Sequence, residues 1–263
     1  MSDQSPPAKP VLDAFRIDGK VAIVTGASRG LGRAMAAALA EAGADVAVAA
    51  RSKTDLEETA HVITARGRRA VVVPTDVSEY AQVEALVERT RAALGGLDVV
   101  VNNSGIAIVS PLAEMRPEDF RKTLDVNLVG AFNGCRAAAP HLIAQRSGKV
   151  INVASVLGQV GLPGYTAYAA SKAGIAGLTR ALAAEWARHN IQVNALAPGW
   201  FVTDMNAEAF ADQRTRDRLL RDVPARRTGR VEEIGPLLVY LASAASDFMT
   251  GQTVFLDGGH TAA

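Results

Sequence analysis

Val21-Ala-Ile-Val-Thr-Gly-Ala-Ser-Arg-Gly-Leu-Gly-Arg-Ala-Met35 is the stretch on which the reading of the chain turns. Its first five residues are β-branched or small and apolar, and polar residues do not alternate among them. They read as a short strand buried on both faces. Glycines follow at Gly26, Gly30 and Gly32, and an Ala-rich helical pattern then runs from about Leu31 to Ala42. Gly26 permits a tight turn, Gly30 lets backbone approach a pyrophosphate, and Gly32 lets the helix pack closely on the sheet. The helix start offers free N–H groups and a partial positive charge to an anion. The spacing departs from G-x-G-x-x-G, so the strand before and the helix after are what make this turn a dinucleotide-site candidate.

Working outward, the same alternation repeats. Strands are predicted at Val46–Ala50, Ala70–Pro74, Leu97–Val101, Val150–Val153, Ile191–Asn194 and Thr253–Leu256. Helices are predicted near Thr54–Arg66, Glu79–Leu94, Pro117–Gln145, Tyr165–Arg188 and Val231–Leu241. With right-handed crossovers this is an α/β fold: a single Rossmann-type, doubly wound parallel sheet of about seven strands, with helices on both faces. Residues 1–14 read as a flexible tail and residues 15–263 as one domain. Residues 200–228 carry little apolar periodicity and many charges, which suits a substrate lid after a strand's C-terminal end.

Composition narrows the function. The chain has 263 residues, 28 Lys plus Arg against 27 Asp plus Glu, and a net charge of +1. That balance points away from a nucleic-acid or acidic-membrane partner. No apolar run approaches the roughly 18 residues of a membrane span, and the polar, Pro-bearing start lacks a signal-peptide pattern. The one cysteine, Cys135, forms no intrachain disulfide and reads as a small buried residue. A cytoplasmic setting follows. No His/Cys/Asp cluster has metal-ligand spacing, so no metal site is expected.

The chemistry is concentrated in Asn127, Ser155 and Tyr168-Ala-Ala-Ser-Lys172. Tyr168 and Lys172 are four residues apart in a helical stretch and therefore share a face. An isolated phenol titrates near about 10. A neighbouring cation favours the phenolate and lowers that value, giving an acid or base usable near neutrality. The cofactor is read from the second strand's end. An acid there would bind a ribose 2′-hydroxyl, but the chain has Ala50, Arg51, Ser52 and Lys53, with Arg29 in the glycine turn. Two guanidinium groups and a hydroxyl suit a 2′-phosphate, so NADP(H) is expected over NAD(H).

These motifs resemble the short-chain dehydrogenases/reductases from about Asp18 to Gly259. The resemblance rests on Thr25 to Gly32, Asp76-Val77, Asn102-Asn103-Ser104-Gly105, Asn127, Ser155, Tyr168 to Lys172, Pro198-Gly199 with Thr203, and Asp257-Gly-Gly259, all in order. It implies that Tyr168 is the general acid in reduction and the base in oxidation. Lys172 would lower the Tyr168 pKa and bind the nicotinamide ribose. Ser155 would hold the substrate oxygen, and Asn127 a water leading to Lys172. Asp76 and Val77 would flank adenine, and Thr203 would meet the carboxamide. Ser28, Leu31, Asn103, Gly105, Pro198 and Gly199 would complete the cofactor side, with Asn102 steadying the sheet. The helices carrying Asn127 and Tyr168 would pair between subunits of a homotetramer. Ser104 departs from the Ala usual in the family and adds one hydroxyl.

The substrate is less legible. Asn190–Asn194 and Ala245–Phe248 are similar to gluconate 5-dehydrogenase-like members, which implies a sugar-acid ketone. The expected pocket is apolar instead: Ile106 to Val109, then Val156, Leu157, Val160 and Leu162, then Trp200, Phe201 and Val202, with Tyr165 as a wall. A 3-oxoacyl-carrier-protein reductase is a further reading. The positions matching its two docking arginines are Asn133 and His189, with Arg136 and Arg188 close by. An apolar small-molecule ketone or alcohol is the favoured substrate, and a cofactor-binding regulator is the non-enzyme alternative.

Overall fold

The computed structural model describes residues 10–204 and 206–262. All seven strands among them join one parallel sheet in the order β3-β2-β1-β4-β5-β6-β7. They are β1 (Val21–Thr25), β2 (Asp45–Ala50), β3 (Ala70–Pro74), β4 (Val99–Asn102), β5 (Gly148–Val153), β6 (Ile191–Pro198) and β7 (Thr253–Leu256). The helices are α1 (Gly30–Glu41), α2 (Lys53–Thr64), α3 (Tyr80–Leu94), α4 (Pro117–Leu124), α5 (Gly130–Gln145), α6 (Thr166–Trp186), α7 (Ala207–Ala211), α8 (Gln213–Arg221) and α9 (Ile234–Ala242).

Side chains alternate across each strand and so feed two cores. Ala22 and Val24 of β1 join Val46, Val48, Val99 and Val101 against Met35 and Leu39 of α1 and Leu238 of α9. Val21 and Ile23 join Ala47, Val100, Val150 and Val193 against Leu86 of α3 and Leu142 of α5. Every residue of β1 and β5 is buried, as a sheet covered on both faces requires. Each fully buried Leu, Ile or Met contributes about 1.5–3 kcal/mol relative to exposure. No described helix is long and apolar enough to cross a membrane.

Four expectations change. Residues 1–9, most of the expected tail, lie outside the described residues, but its end is ordered: Val11–Phe15 forms a 3-10 turn and the Phe15 ring lies 6.0 Å from that of Tyr240. The helix expected over Pro117–Gln145 is broken by a π-helical turn at Asp125–Val129. The β6 strand runs on to Pro198, four residues past the expected end, because Ala195 to Pro198 pair with β7. The segment 200–228 contains α7 and α8, and its ends are joined by a parallel bridge between Phe201 and Gly229.

Candidate active site

Strand order places the site. The chain leaves β1 towards β2 and β3, then returns to β4 on the other side of β1. The loops after β1 and β4 therefore diverge and leave a crevice at the strands' C-terminal ends. Its floor is stitched together. The Thr25 hydroxyl accepts the backbone N–H groups of Asn103 (3.0 Å) and Ser104 (3.1 Å). The Asn103 side-chain amide donates to the Thr25 and Gly26 carbonyls at 2.9 and 3.1 Å. Below it, Asn102 donates to Asn152 at 2.8 Å, and Asn152 to Thr179 at 3.0 Å, a buried link from β4 through β5 to α6. The crevice opens into a cleft of about 680 Å3.

Tyr168 and Lys172 come from one face of α6, and Ser155 from the residues just after β5. All three border the cleft. Lys172 is 3% exposed; its ammonium donates to the Val153 carbonyl at 2.7 Å and lies 5.5 Å from the centre of the Tyr168 ring. The Ser155 Oγ accepts the Leu157 N–H at 3.2 Å, which fixes its rotamer at the start of a 3-10 turn. Asn127 does not border the cleft. Held in the π-helical turn, it clamps both backbone groups of Ile106, accepting from the N–H at 2.8 Å and donating to the carbonyl at 2.9 Å. It also donates to Ser171 at 3.0 Å, which gives Ser171 a positioning task. Asn127 and Lys172 meet over Gly105, where an added Cβ would lie 3.4 and 3.5 Å from their tips.

The electrostatics differ from the expectation in one respect. Burial pushes the Tyr168 phenol above its ordinary value; the neighbouring Ser155 hydroxyl pulls it back and Tyr165 adds to the rise. Burial also pulls the Lys172 ammonium down, to about 8. Cys135 is 1% exposed and burial pushes its thiol up to about 12, so it is an inert core residue.

The cofactor-side residues expected from the sequence all border this one cleft. Gly26 and Gly30 have φ of +65° and +53°, where a side chain is strained. An added Cβ at Gly26 would meet the Asn103 amide nitrogen at 2.8 Å. One at Gly32 would meet the Gly26 carbonyl oxygen at 2.1 Å, so Gly32 serves contact within the turn itself more than helix-to-sheet packing. Ser28 and Leu31 complete the turn, while Arg51, Ser52, Asp76 and Val77 border its far end. The Ser78 hydrogen bond holds the Asp76 carboxyl below its usual value, burial opposes this, and Arg51 adds to the lowering. Arg51 makes no salt bridge among the described residues, whereas Arg29 pairs with Asp204 at 3.1 Å. Pro198, Gly199 and Thr203 also border the cleft, with the Thr203 methyl 3.3 Å from where a Cβ at Gly30 would stand.

On the substrate side the structure brings Ile106 to Val109, Val156, Leu157, Tyr165, Trp200 and Phe201 to the cleft. It leaves out Val160, Leu162 and Val202. Leu162 starts the turn that ends at Tyr165, its carbonyl accepting the Tyr165 N–H at 3.1 Å, and only the far end of that turn reaches the wall. Val202 faces a separate hollow among α7, α8 and Arg226 to Thr228. Sequence reasoning missed Lys122, Val126 and Asp204 on the rim. The first two precede Asn127 by five and one residues, so its helix face held the signal. The carrier-docking position Asn133 is 3% exposed and donates to the Val77 carbonyl at 2.8 Å, and Arg136 stacks 4.7 Å over the Tyr80 ring.

Known proteins share this build. Residues 26–261 match the family described as Enoyl-(Acyl carrier protein) reductase. The chain is 40% identical over 253 residues to the 2-dehydro-3-deoxy-D-gluconate 5-dehydrogenase of Escherichia coli (strain K12), covering 95% of this chain and 98% of that one. It is 41% identical over 241 residues to the 3-oxoacyl-(acyl-carrier-protein) reductase of Staphylococcus aureus (strain Mu50 / ATCC 700699), covering 91% and 97%. The crystal structure of a gluconate 5-dehydrogenase from Burkholderia cenocepacia J2315 in complex with NADP and tartrate is 42% identical, with a TM-score of 0.93 over 97% of this chain and 100% of that one. Likeness of this extent makes the chain a member of the short-chain dehydrogenase/reductase family of oxidoreductases.

Proposed function

We propose that the protein is an NADP(H)-dependent reductase that interconverts a ketone and a secondary alcohol, with Tyr168 as the acid and base. The observation that carries this reading is the convergence of Ser155, Tyr168 and Lys172 with the glycine turn on one cleft. The turn suits a dinucleotide: no side chain fits at Gly26 or Gly32, and the N-terminus of α1 opens beside them. Gly26 to Gly32, Asp76, Val77, Asn103 and Gly105 would hold it, with Pro198, Gly199 and Thr203 at the nicotinamide end. Arg51 and Ser52, at the end of β2, favour a 2′-phosphate there. When bound, the nicotinamide supplies or takes up the hydride.

The chain's own groups do the rest. Ser155 and Tyr168 hold the carbonyl oxygen, and the Tyr168 phenol gives it a proton in reduction. Lys172, charged below its pKa of about 8, offsets the phenolate left behind. Burial keeps Tyr168 protonated at neutral pH, which supports reduction as the working direction. Asn127 fixes the Gly105-Ile106 backbone beside Lys172, and the segment 200–228 serves as the lid. The apolar wall formed by Ile106, Val156, Leu157 and Trp200 favours an apolar ketone. We place the enzyme in the cytoplasm, as a homotetramer.

A second reading, a sugar-acid ketone, is favoured by the names of the gluconate dehydrogenases the chain resembles. The test is NADPH and NADH consumption with apolar cyclic ketones, 5-ketogluconate and acetoacetyl thioesters. We expect turnover of the apolar ketones with NADPH, falling about 10²–10⁴-fold in Tyr168→Phe. Preference for NADH would remove the Arg51 argument, and preference for 5-ketogluconate the apolar one. NADPH binding without turnover of any substrate would favour the regulator.

A further inference from the structure

Ser104 carries a hydroxyl that the fold does not use. Its backbone is fixed: the N–H donates to the Thr25 hydroxyl at 3.1 Å, and its Cα lies 2.9 Å from where a Cβ at Gly26 would stand. The side-chain oxygen makes no hydrogen bond among the described residues, yet it is not shut off from solvent. Ser104 borders the cleft, so the hydroxyl opens into the cleft. Nothing beneath takes it up. The Thr25 hydroxyl already accepts two N–H groups and donates to the Val101 carbonyl at 3.4 Å. The Asn103 amide gives its hydrogens to the Thr25 and Gly26 carbonyls. On the far side, Asn127 is committed to Ile106 and Ser171, and Lys172 to the Val153 carbonyl.

The place of the residue says what meets it. Ser104 faces Gly26, the first glycine of the turn, and precedes Gly105, which lies under the tips of Asn127 and Lys172. A dinucleotide running from the glycine turn to Tyr168 and Lys172 therefore crosses residue 104 in its middle. The group that lies at the glycine turn is the pyrophosphate, an anion drawn to the N-terminus of α1. A serine hydroxyl can donate to a phosphate oxygen, and a hydrogen bond to a charged acceptor is roughly twice as strong as one between neutral groups. With its backbone already fixed, Ser104 has a single side-chain rotation to lose in forming it. The Ala usual at this position has no such donor.

We infer that Ser104 is a cofactor-binding residue whose hydroxyl donates to the pyrophosphate of the dinucleotide. The inference rests on the dinucleotide part of the reading given above and adds a contact to it that belongs to this chain's own sequence.

The test is calorimetric titration of wild type and Ser104→Ala with NADPH, NADH and 2′-phospho-ADP-ribose, which keeps the pyrophosphate and lacks the nicotinamide. The pyrophosphate is common to all three, so Kd is expected to rise about tenfold for each in Ser104→Ala, the value of one hydrogen bond to a charged group. The free protein is expected to melt at the same temperature with and without the hydroxyl, since no bond within the fold is lost, while the rise in melting temperature on adding NADPH shrinks. A lowered melting temperature of the free variant makes the hydroxyl structural and overturns the inference. Unchanged Kd values overturn it as well. A loss confined to NADPH and NADH puts the hydroxyl at the nicotinamide end, and a loss confined to the two 2′-phosphorylated ligands puts it at the 2′-phosphate; either overturns the pyrophosphate contact. In all these cases binding by wild type leaves the dinucleotide reading standing. Wild-type protein that binds none of the three overturns both together.

Discussion

Lys172 shows most directly how catalysis and stability compete in this chain. It is 3% exposed, and burial pulls its pKa from 10.5 down to about 8. A lysine whose folded pKa is depressed leaves the fold more stable above its unfolded pKa, and that stability is lost as pH falls through the folded one. At neutral pH the penalty is therefore fully present. The shift corresponds to at most about 3 kcal/mol. In Lys172→Met the lost bond to the Val153 carbonyl offsets about 1 kcal/mol of that. We expect Lys172→Met to be more stable than wild type at pH 7 by about 2 kcal/mol, with activity lost. The advantage should fade as pH rises from 8 towards 10.5, read by urea unfolding at several pH values. A variant less stable than wild type at pH 7 would contradict the argument. Much of this residue-scale chemistry was legible in the sequence, since Tyr168 and Lys172 are one helical turn apart. What was not legible is burial: spacing places the ammonium beside the phenol, but the dry wall that lowers Lys172 and raises Tyr168 forms only when β5, β6 and α6 come together.

Among the elements, the rim between the glycine turn and the segment after β6 carries the finer control. Arg29 and Asp204 bridge it at 3.1 Å, both side chains more than half exposed. Such exposed pairs are worth roughly 0–1 kcal/mol, so the bond yields readily to a stronger anion. A 2′-phosphate would compete with Asp204 for this guanidinium. We expect Asp204→Asn to tighten NADPH binding by up to about fivefold and to change NADH binding less, read by fluorescence titration of both. Equal shifts for the two would show that Arg29 does not meet the phosphate. Periodicity could not reveal this rim. The π-helical turn at Asp125–Val129 keeps the apolar period of the helices it joins, so Pro117–Gln145 read as one element. The α7 helix has five residues and α8 nine, with Leu219 the one residue of α8 that is buried, too short a pattern to separate from loop.

For the whole molecule, the set of strands was nearly complete in the sequence, because each announced itself by β-branched or small apolar residues between turn signals, whereas their order across the sheet came only with the structure. The surface was not legible, since apolar residues there have no period to follow. Val129 and Phe132, at the junction of the π-helical turn and α5, remain 38% and 44% exposed. Patches of this kind mark contact surfaces. If this face joins subunits, sedimentation should show a four-chain particle, and Phe132→Glu should split it into smaller species. A wild-type monomer would exclude the tetramer.

The bridge between Phe201 and Gly229 has a consequence for how such a molecule diversifies. It is backed by the Gly229 N–H bond to the Trp200 carbonyl at 2.8 Å and by the Phe201 ring, which would collide with any side chain at Gly229. The stretch between is thus a loop whose ends are already tied, outside the sheet's own connectivity. Lengthening a loop costs little, about 0.6 kcal/mol per doubling. Within it, α7 and α8 are the part open to exchange: new substrate preferences can be written there while Thr203, Asp204 and the crevice beneath stay as they are.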